Sequence, residues 1–304
     1  MLSTVPAFPN LTPLTLEHQP LLEALFRDLQ PRVSELTFTN LFIWRDHYGF
    51  RLTRLGEVVC LFSWRENPAE SCLFPPLGPG AGAEHVRRGL GLLVEAGHDP
   101  KLCRLDQEQR DRLGLSAAEF DFSPDRDNSD YVYRVRDLIA LPADRYADKA
   151  RHLHQFTRKF RFEYRRLTPE LVPACQALQD LWCDEKHCDL YSTLRAEGTA
   201  VKEVLERLGA LHVTGGCLLV NDRVQAFSLG EPLNANSVVI HIEKATPELP
   251  GAFQAINQQF LEHEWAGWKF VNREQDLGEP GLRQSKTSYL PDHMVEKFVV
   301  RQKS

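Results

Sequence analysis

The run Ser237-Val238-Val239-Ile240-His241-Ile242-Glu243-Lys244-Ala245 is followed by Thr246-Pro247-Glu248-Leu249-Pro250-Gly251 and then by a segment opening Ala252-Phe253-Gln254-Ala255-Ile256. The first stretch is rich in β-branched residues and free of breakers, so it reads as a strand. A Pro/Gly loop ends it. Phe253, Ile256, Phe260 and Leu261 then recur at helical spacing and predict a helix over 252–265. Upstream, 211–220 and 223–230 form a hairpin about the Asn221-Asp222 turn, preceded by a strand over 160–167 and helices over 169–185 and 192–208. Downstream come a strand over 269–272 and a helix near 281–286.

The first half carries the same order. Helices over 17–29 and 34–45 precede a hairpin, 48–54 and 58–64, around Leu55-Gly56. A short strand follows at 72–74, then a Gly/Pro loop at 75–82, and a helix over 83–96 with Val86, Leu90, Leu93 and Val94 on one stripe. A strand over 101–105 ends at Asp106, an N-cap for a helix over 107–113. The two halves repeat at an offset of roughly 165 residues, far longer than the ~20–50 residues of solenoid repeats, so they are two like domains. The expected division is an N-terminal domain over 1–140, a basic helical connector over 141–160 and a C-terminal domain over 161–304.

The chain has 304 residues, 42% apolar and 26% charged, with a formal net charge of −6. That composition excludes disordered, collagenous and disulfide-scaffold classes. No apolar run reaches the ~20 residues that cross a bilayer, and the N-terminus does not read as a signal peptide. The seven cysteines are scattered and odd in number, which fits small hydrophobes in a reducing, cytoplasmic compartment. No second Cys/His pair at zinc spacing follows Cys183, His187 and Cys188, so no metal site is expected. Charge concentrates over 145–166, where eight Lys or Arg stand against Asp148 and Glu163. This stretch is either a solvated face or a surface for a phosphate-rich partner. Lys149, Arg151, Arg158, Lys159 and Arg161 are its candidate RNA- or phosphate-binding residues.

The element order resembles the GNAT acyltransferase fold, an α+β architecture, here in tandem as two mixed-sheet domains. Thr39-Asn40-Leu41-Phe42-Ile43-Trp44, Asn272-Arg273-Glu274-Gln275-Asp276-Leu277-Gly278, Gly281-Leu282-Arg283, Lys286 and Ser288-Tyr289-Leu290-Pro291 add a specific signal. They resemble the bacterial family named for the C-terminal domain of phosphatidylglycerol lysyltransferase, over nearly the whole chain and most strongly over 238–297. The resemblance implies aminoacyl transfer from aminoacyl-tRNA to an amine, hydroxyl or lipid-headgroup acceptor, with peripheral membrane contact. It implies no cofactor beyond the acyl donor, which is a co-substrate. An acyl-coenzyme A-dependent N-acyltransferase and a non-catalytic ligand- or peptide-binding module are the alternatives.

Acyl transfer needs a base for the nucleophile, donors for the oxyanion and a proton for the leaving group. Alternation along the 238–244 strand puts His241 and Glu243 on one face and Lys244 on the other. Glu243 is the first candidate base or amine-binding carboxylate, the alternative being an ion pair to Arg273 or Arg283. His241 is either a substrate contact or a satisfied core histidine. The polar run from Asn272 to Asp276 lies at a strand end, where α/β folds place ligands. Glu274 and Asp276 join Glu243 as candidate catalytic carboxylates. Asn272, Arg273, Arg283, Lys286, Lys244 and Tyr289 are candidate substrate-binding groups, the arginines as bidentate clamps on phosphate or carboxylate. The expected place is the second domain and the cleft beside it. Three prolines at 75–82 remove backbone donors and make a poor phosphate cradle. The 246–251 loop lacks the Gly-x-Gly spacing of coenzyme A-dependent relatives, which favours another donor.

Overall fold

The computed structural model describes residues 2–303 and groups the chain into two compact units, each built on a seven-stranded mixed sheet. The first sheet runs Thr12–Pro13, Phe50–Leu55, Val58–Ser63, Cys72–Leu73, Leu102–Leu105, Phe298–Gln302, Phe120–Pro124. Its hairpin pairs Phe50 with Ser63 through Leu55 with Val58, around Gly56 at φ 64°. The Ala83–Glu95 helix packs Val86, Leu90 and Leu93 onto Phe62, Leu73 and Leu102. Asp106 caps the Gln107–Arg112 helix as expected, accepting from the Gln109 amide.

The second sheet runs His293–Val295, Asp130–Arg134, Phe270–Asn272, Ser237–Ala245, Arg223–Asn234, Thr214–Val220, Phe162–Arg166. Asn221 and Asp222 both take positive φ, as the tightest hairpin turns require. The register slips at Leu229/Gly230, where a Cβ on Gly230 would fall 2.5 Å from the Val239 carbonyl oxygen. Only glycine fits there. Ser237–Ala245 pairs in parallel with Phe270–Asn272 over Ser237 to Val239 alone. Residues 240–245 therefore run on past the end of their neighbour, and the gap so opened faces the Ala252–Glu264 helix. This is the tandem GNAT architecture, two α+β units of one plan.

The domain boundaries differ from the expected 1–140, 141–160 and 161–304. The first unit comprises Met1–Asp130, Gln275–Glu279 and Met294–Ser304, and the second Tyr131–Glu274 and Pro280–His293. The Ala143–Lys159 helix is part of the second unit, with Tyr146 and Phe156 buried, rather than a free connector. Strand Phe298–Gln302 returns to the first sheet, between strands some two hundred residues earlier, and Asp130–Arg134 joins the second. Such pairings are set by distant partners, which local periodicity does not encode. Among the described residues no helix is long and apolar enough to cross a membrane.

Candidate active site

The gap in the second sheet is lined from its two strands, as alternation demands. Glu243 projects from the long strand, and Arg273 follows directly on Asn272 of the short one. Arg273 Nη2 meets Glu243 Oε1 at 2.8 Å, and Asn257 Nδ2, from the facing helix, donates to Glu243 Oε2 at 3.0 Å. Arg273 is further fixed through its backbone. Its amide donates to the Tyr131 carbonyl at 2.9 Å, and its carbonyl accepts from Lys286 Nζ at 2.6 Å. Tyr133 Oη donates to the Lys286 carbonyl at 2.8 Å, tying the Pro280–Thr287 helix to the sheet.

Two cations, Arg273 and Lys149, converge here on the Tyr289 ring. The Arg273 guanidinium lies 4.9 Å from the Tyr289 ring centre, and Lys149 Nζ lies 4.4 Å from the same ring. Burial works most strongly against the charged guanidinium, but Glu243 together with Tyr133 and Tyr289 outweighs it and raises the Arg273 pKa. Burial, then repulsion from Arg273, pulls the Lys149 pKa down. Arg273 Nη1 is buried without a hydrogen-bond partner. A buried guanidinium nitrogen without an acceptor is costly, and an anionic or carbonyl oxygen of a ligand would satisfy it. Burial pushes the Tyr289 phenol up to about 12, so it stays protonated at neutral pH.

The other expected residues fall into three groups. His241 is clamped, with Nε2 2.8 Å from Glu231 and Nδ1 2.9 Å from Glu274, and only 1% of its side chain is exposed. Burial opposes the imidazolium, yet the hydrogen bonds from the two carboxylates raise its pKa to about 9. His241 and Glu274 thus form an ion triad with Glu231. Asn272 is buried, and its Oδ1 accepts from the Glu274 amide at 2.8 Å, holding that residue at φ 57°. Asp276 does not join the gap. It lies in the first unit, fully buried, 3.1 Å from Arg126 and accepting from the Gly278 amide. The positive φ at Glu274 turns the chain between them, and Leu277 and Gly278 turn it again beyond Asp276.

Lys244 also departs from the group, because alternation sends it to the opposite face. There it pairs with Glu197 at 2.8 Å and covers the Trp182 ring at 3.4 Å. Arg283 is half-buried on the helix that carries Lys286. Of the basic run, Lys149 lines the site, while Arg151 is exposed and paired to Asp148. Arg158, Lys159 and Arg161 are exposed at and beyond the end of the Ala143–Lys159 helix. Sequence reasoning missed Asn257, Glu231, Tyr131 and Tyr133. The buried Asn257 interrupts an otherwise apolar stripe, and Tyr131-Val132-Tyr133 alternates like a strand; both were readable signals. The scatter of thiols along the chain also concealed a disulfide, Cys183–Cys188, and a buried Cys175–Cys217 contact at 3.4 Å.

The Ala252–Glu264 helix begins under the basic helix. A Cβ on Gly251 would fall 2.4 Å from the His152 carbonyl oxygen and 2.9 Å from the Phe156 Cβ. The backbone entering the helix is thus in contact with other backbone, at the place where a GNAT fold offers its helix N-terminus to phosphates.

Comparison with known proteins places this geometry in a family. A conserved protein of unknown function from Bacteroides thetaiotaomicron superposes with a TM-score of 0.87 and 28% identity, over 96% of this chain and 99% of that one. The C-terminal domain of a putative lysylphosphatidylglycerol synthetase from Agrobacterium fabrum gives 0.64 at 10% identity, over 95% and 93%. L-PGS from Bacillus licheniformis gives 0.59 at 12% identity, over 86% of each. At these low identities the last two show a shared fold. An uncharacterized protein of Mycoplasmoides gallisepticum is 20% identical over 177 residues, which span 57% of this chain and 56% of that protein. Residues 26–301 match the family described as phosphatidylglycerol lysyltransferase, C-terminal. The chain therefore belongs to the phosphatidylglycerol lysyltransferase C-terminal family, and that membership supports an acyltransferase-type function.

Proposed function

We propose that this chain transfers an aminoacyl group from aminoacyl-tRNA to an amine, hydroxyl or lipid-headgroup acceptor, with Glu243 as the proton-accepting carboxylate. The observation that carries the reading is the position of Lys149. One basic helix brings Lys149 to Tyr289, which Arg273 also contacts, and exposes Arg158 and Lys159, which supports a donor with a phosphate backbone. The same helix crowds Gly251, which leaves little room for a coenzyme A pyrophosphate at the helix start. A donor held along the basic helix meets neither obstacle.

The nucleophile attacks the aminoacyl ester carbonyl while Glu243 takes its proton. The carbonyl oxygen gains negative charge within reach of the partnerless Arg273 Nη1. The C–O bond to the tRNA breaks, the new amide or ester bond remains, and the tRNA hydroxyl leaves with the proton. In this reading the proton goes to neither Glu274, which faces His241, nor Asp276, which lies in the other unit.

Glu243→Gln keeps the shape and removes the base. It should lower aminoacyl transfer by about 10²-fold, measured with charged tRNA and a mixture of amine and hydroxyl acceptors. Full activity in that variant would remove Glu243 from the reaction. A clear rise in melting temperature with acyl-coenzyme A, and none with tRNA, would replace the donor.

A further inference from the structure

Behind the strand that carries Glu243 lies a second arrangement, on the opposite face. Lys244 is held between two helices, by Trp182 of Val172–Lys186 and by Glu197 of Ser192–Glu206. The next residue after each partner belongs to a second contact. Cys183 follows Trp182, Gly198 follows Glu197, and a Cβ on Gly198 would lie 3.3 Å from the Cys183 sulfur. The two helices thus pass each other at that sulfur, which also accepts from Gln179 Nε2 at 3.3 Å. Cys183 is bonded to Cys188, across the left-handed residue His187 and into the Cys188–Leu190 turn that leads to the second helix. Residues 184–187 between them are exposed and Cys183 is half-buried, so a reductant has access.

We propose that the Cys183–Cys188 bond is a redox latch that holds Trp182 and Glu197 on Lys244 and so fixes the strand bearing Glu243. A dithiol reductant opens it. One thiolate attacks a cysteine sulfur, the S–S bond breaks and a mixed disulfide forms. The reductant's second thiol then displaces the remaining cysteine. Both cysteines end as thiols, gaining two electrons and two protons, and the reductant leaves as a cyclic disulfide. Reduction frees the tie between the first helix and the turn that leads into the second. The clamp on Lys244 then loosens, and a buried ammonium that loses its carboxylate moves toward water.

The effect on catalysis rests on the function proposed above, but the latch does not. The test uses the full chain, with and without dithiothreitol under native conditions. Intact-mass thiol labelling should rise by two on reduction. Tryptophan emission should shift, and that shift should be absent in Trp182→Phe. Proteolytic nicking between residues 184 and 195 should quicken several-fold, and Cys188→Ser should behave as reduced without any reductant. Two new labels with unchanged emission and unchanged nicking would overturn the latch. So would two thiols that stay free after treatment with oxidised glutathione. A normal optical response in a protein that never transfers an aminoacyl group would sink the function and leave the latch standing. Equal transfer rates in both redox states would break the link from the latch to Glu243.

Discussion

The two units place an arginine at the same point of the same plan and use it differently. Arg104 lies in the strand after the first unit's Ala83–Glu95 helix, as Arg273 follows the strand after the second unit's Ala252–Glu264 helix. Arg104 meets carboxylates on two sides, Glu35 at 2.7 Å and Asp125 at 3.3 Å. Glu35 also binds the fully buried Lys297, which reaches Asp130 at 2.6 Å. Ser34 adds both its amide and its hydroxyl to Asp130. That network closes on itself. Arg273 has one carboxylate and a spare buried nitrogen, with Lys149 nearby. The strand facing the arginine differs as well. In the first unit it is Cys72–Leu73, which runs into Pro75-Pro76 and offers no carboxylate, whereas the second unit offers Glu243. At this point of the plan one copy surrounds its arginine with carboxylates, and the other leaves a guanidinium nitrogen without an acceptor.

The contrast is most exposed to failure at Lys297. Lys297→Met leaves Glu35 and Asp130 as buried carboxylates short of a cation, and should cost about 3–5 kcal/mol in urea unfolding. A loss below about 1 kcal/mol would mean that the network is not a structural lock.

A second test concerns the ion triad beside the site. The His241 pKa is raised to about 9 in the folded state, above the ordinary value near 6.5. The stabilisation is therefore fully present below about pH 6.5 and is lost as pH rises through about 9. Stability should fall by about 3 kcal/mol across that window. His241→Gln should flatten the profile; an unchanged slope would place the titration elsewhere.

The smallest effect concerns the surface. Replacing Arg158, Lys159 and Arg161 by Gln should weaken tRNA binding and lower its salt slope by about 0.7–0.9 for each phosphate no longer neutralised, with stability nearly unchanged. Salt-insensitive tRNA binding in the unmutated protein would make the basic helix a solvated face.

Much of the second unit was readable because its signals are local. The strand Ser237–Ala245 and the helix starting at Ala252 have the expected bounds, since periods of 2 and 3.6 are written in consecutive residues. The Glu243–Arg273 pair was also legible, as alternation and a strand end suffice to place both. Lys244 shows the same rule misapplied, because grouping it with Glu243 ignored the face it must take. Asp276 failed for another reason. Asp276 lies three positions after Arg273, but the left-handed turn at Glu274 sends it to another unit. The role of Lys149 lay beyond reach, for nothing local says which residue of an amphipathic cationic helix turns toward a tyrosine 140 positions later.

The strand Phe298–Gln302 has a consequence for synthesis. It fills an interior place in the first sheet, between Leu102–Leu105 and Phe120–Pro124, although it follows them by some two hundred residues. The nascent first unit therefore waits with two unjoined edges while residues 125–297 are still being translated, a state in which strand edges invite misassembly. Removal of residues 298–302 should consequently damage the first unit more than the second.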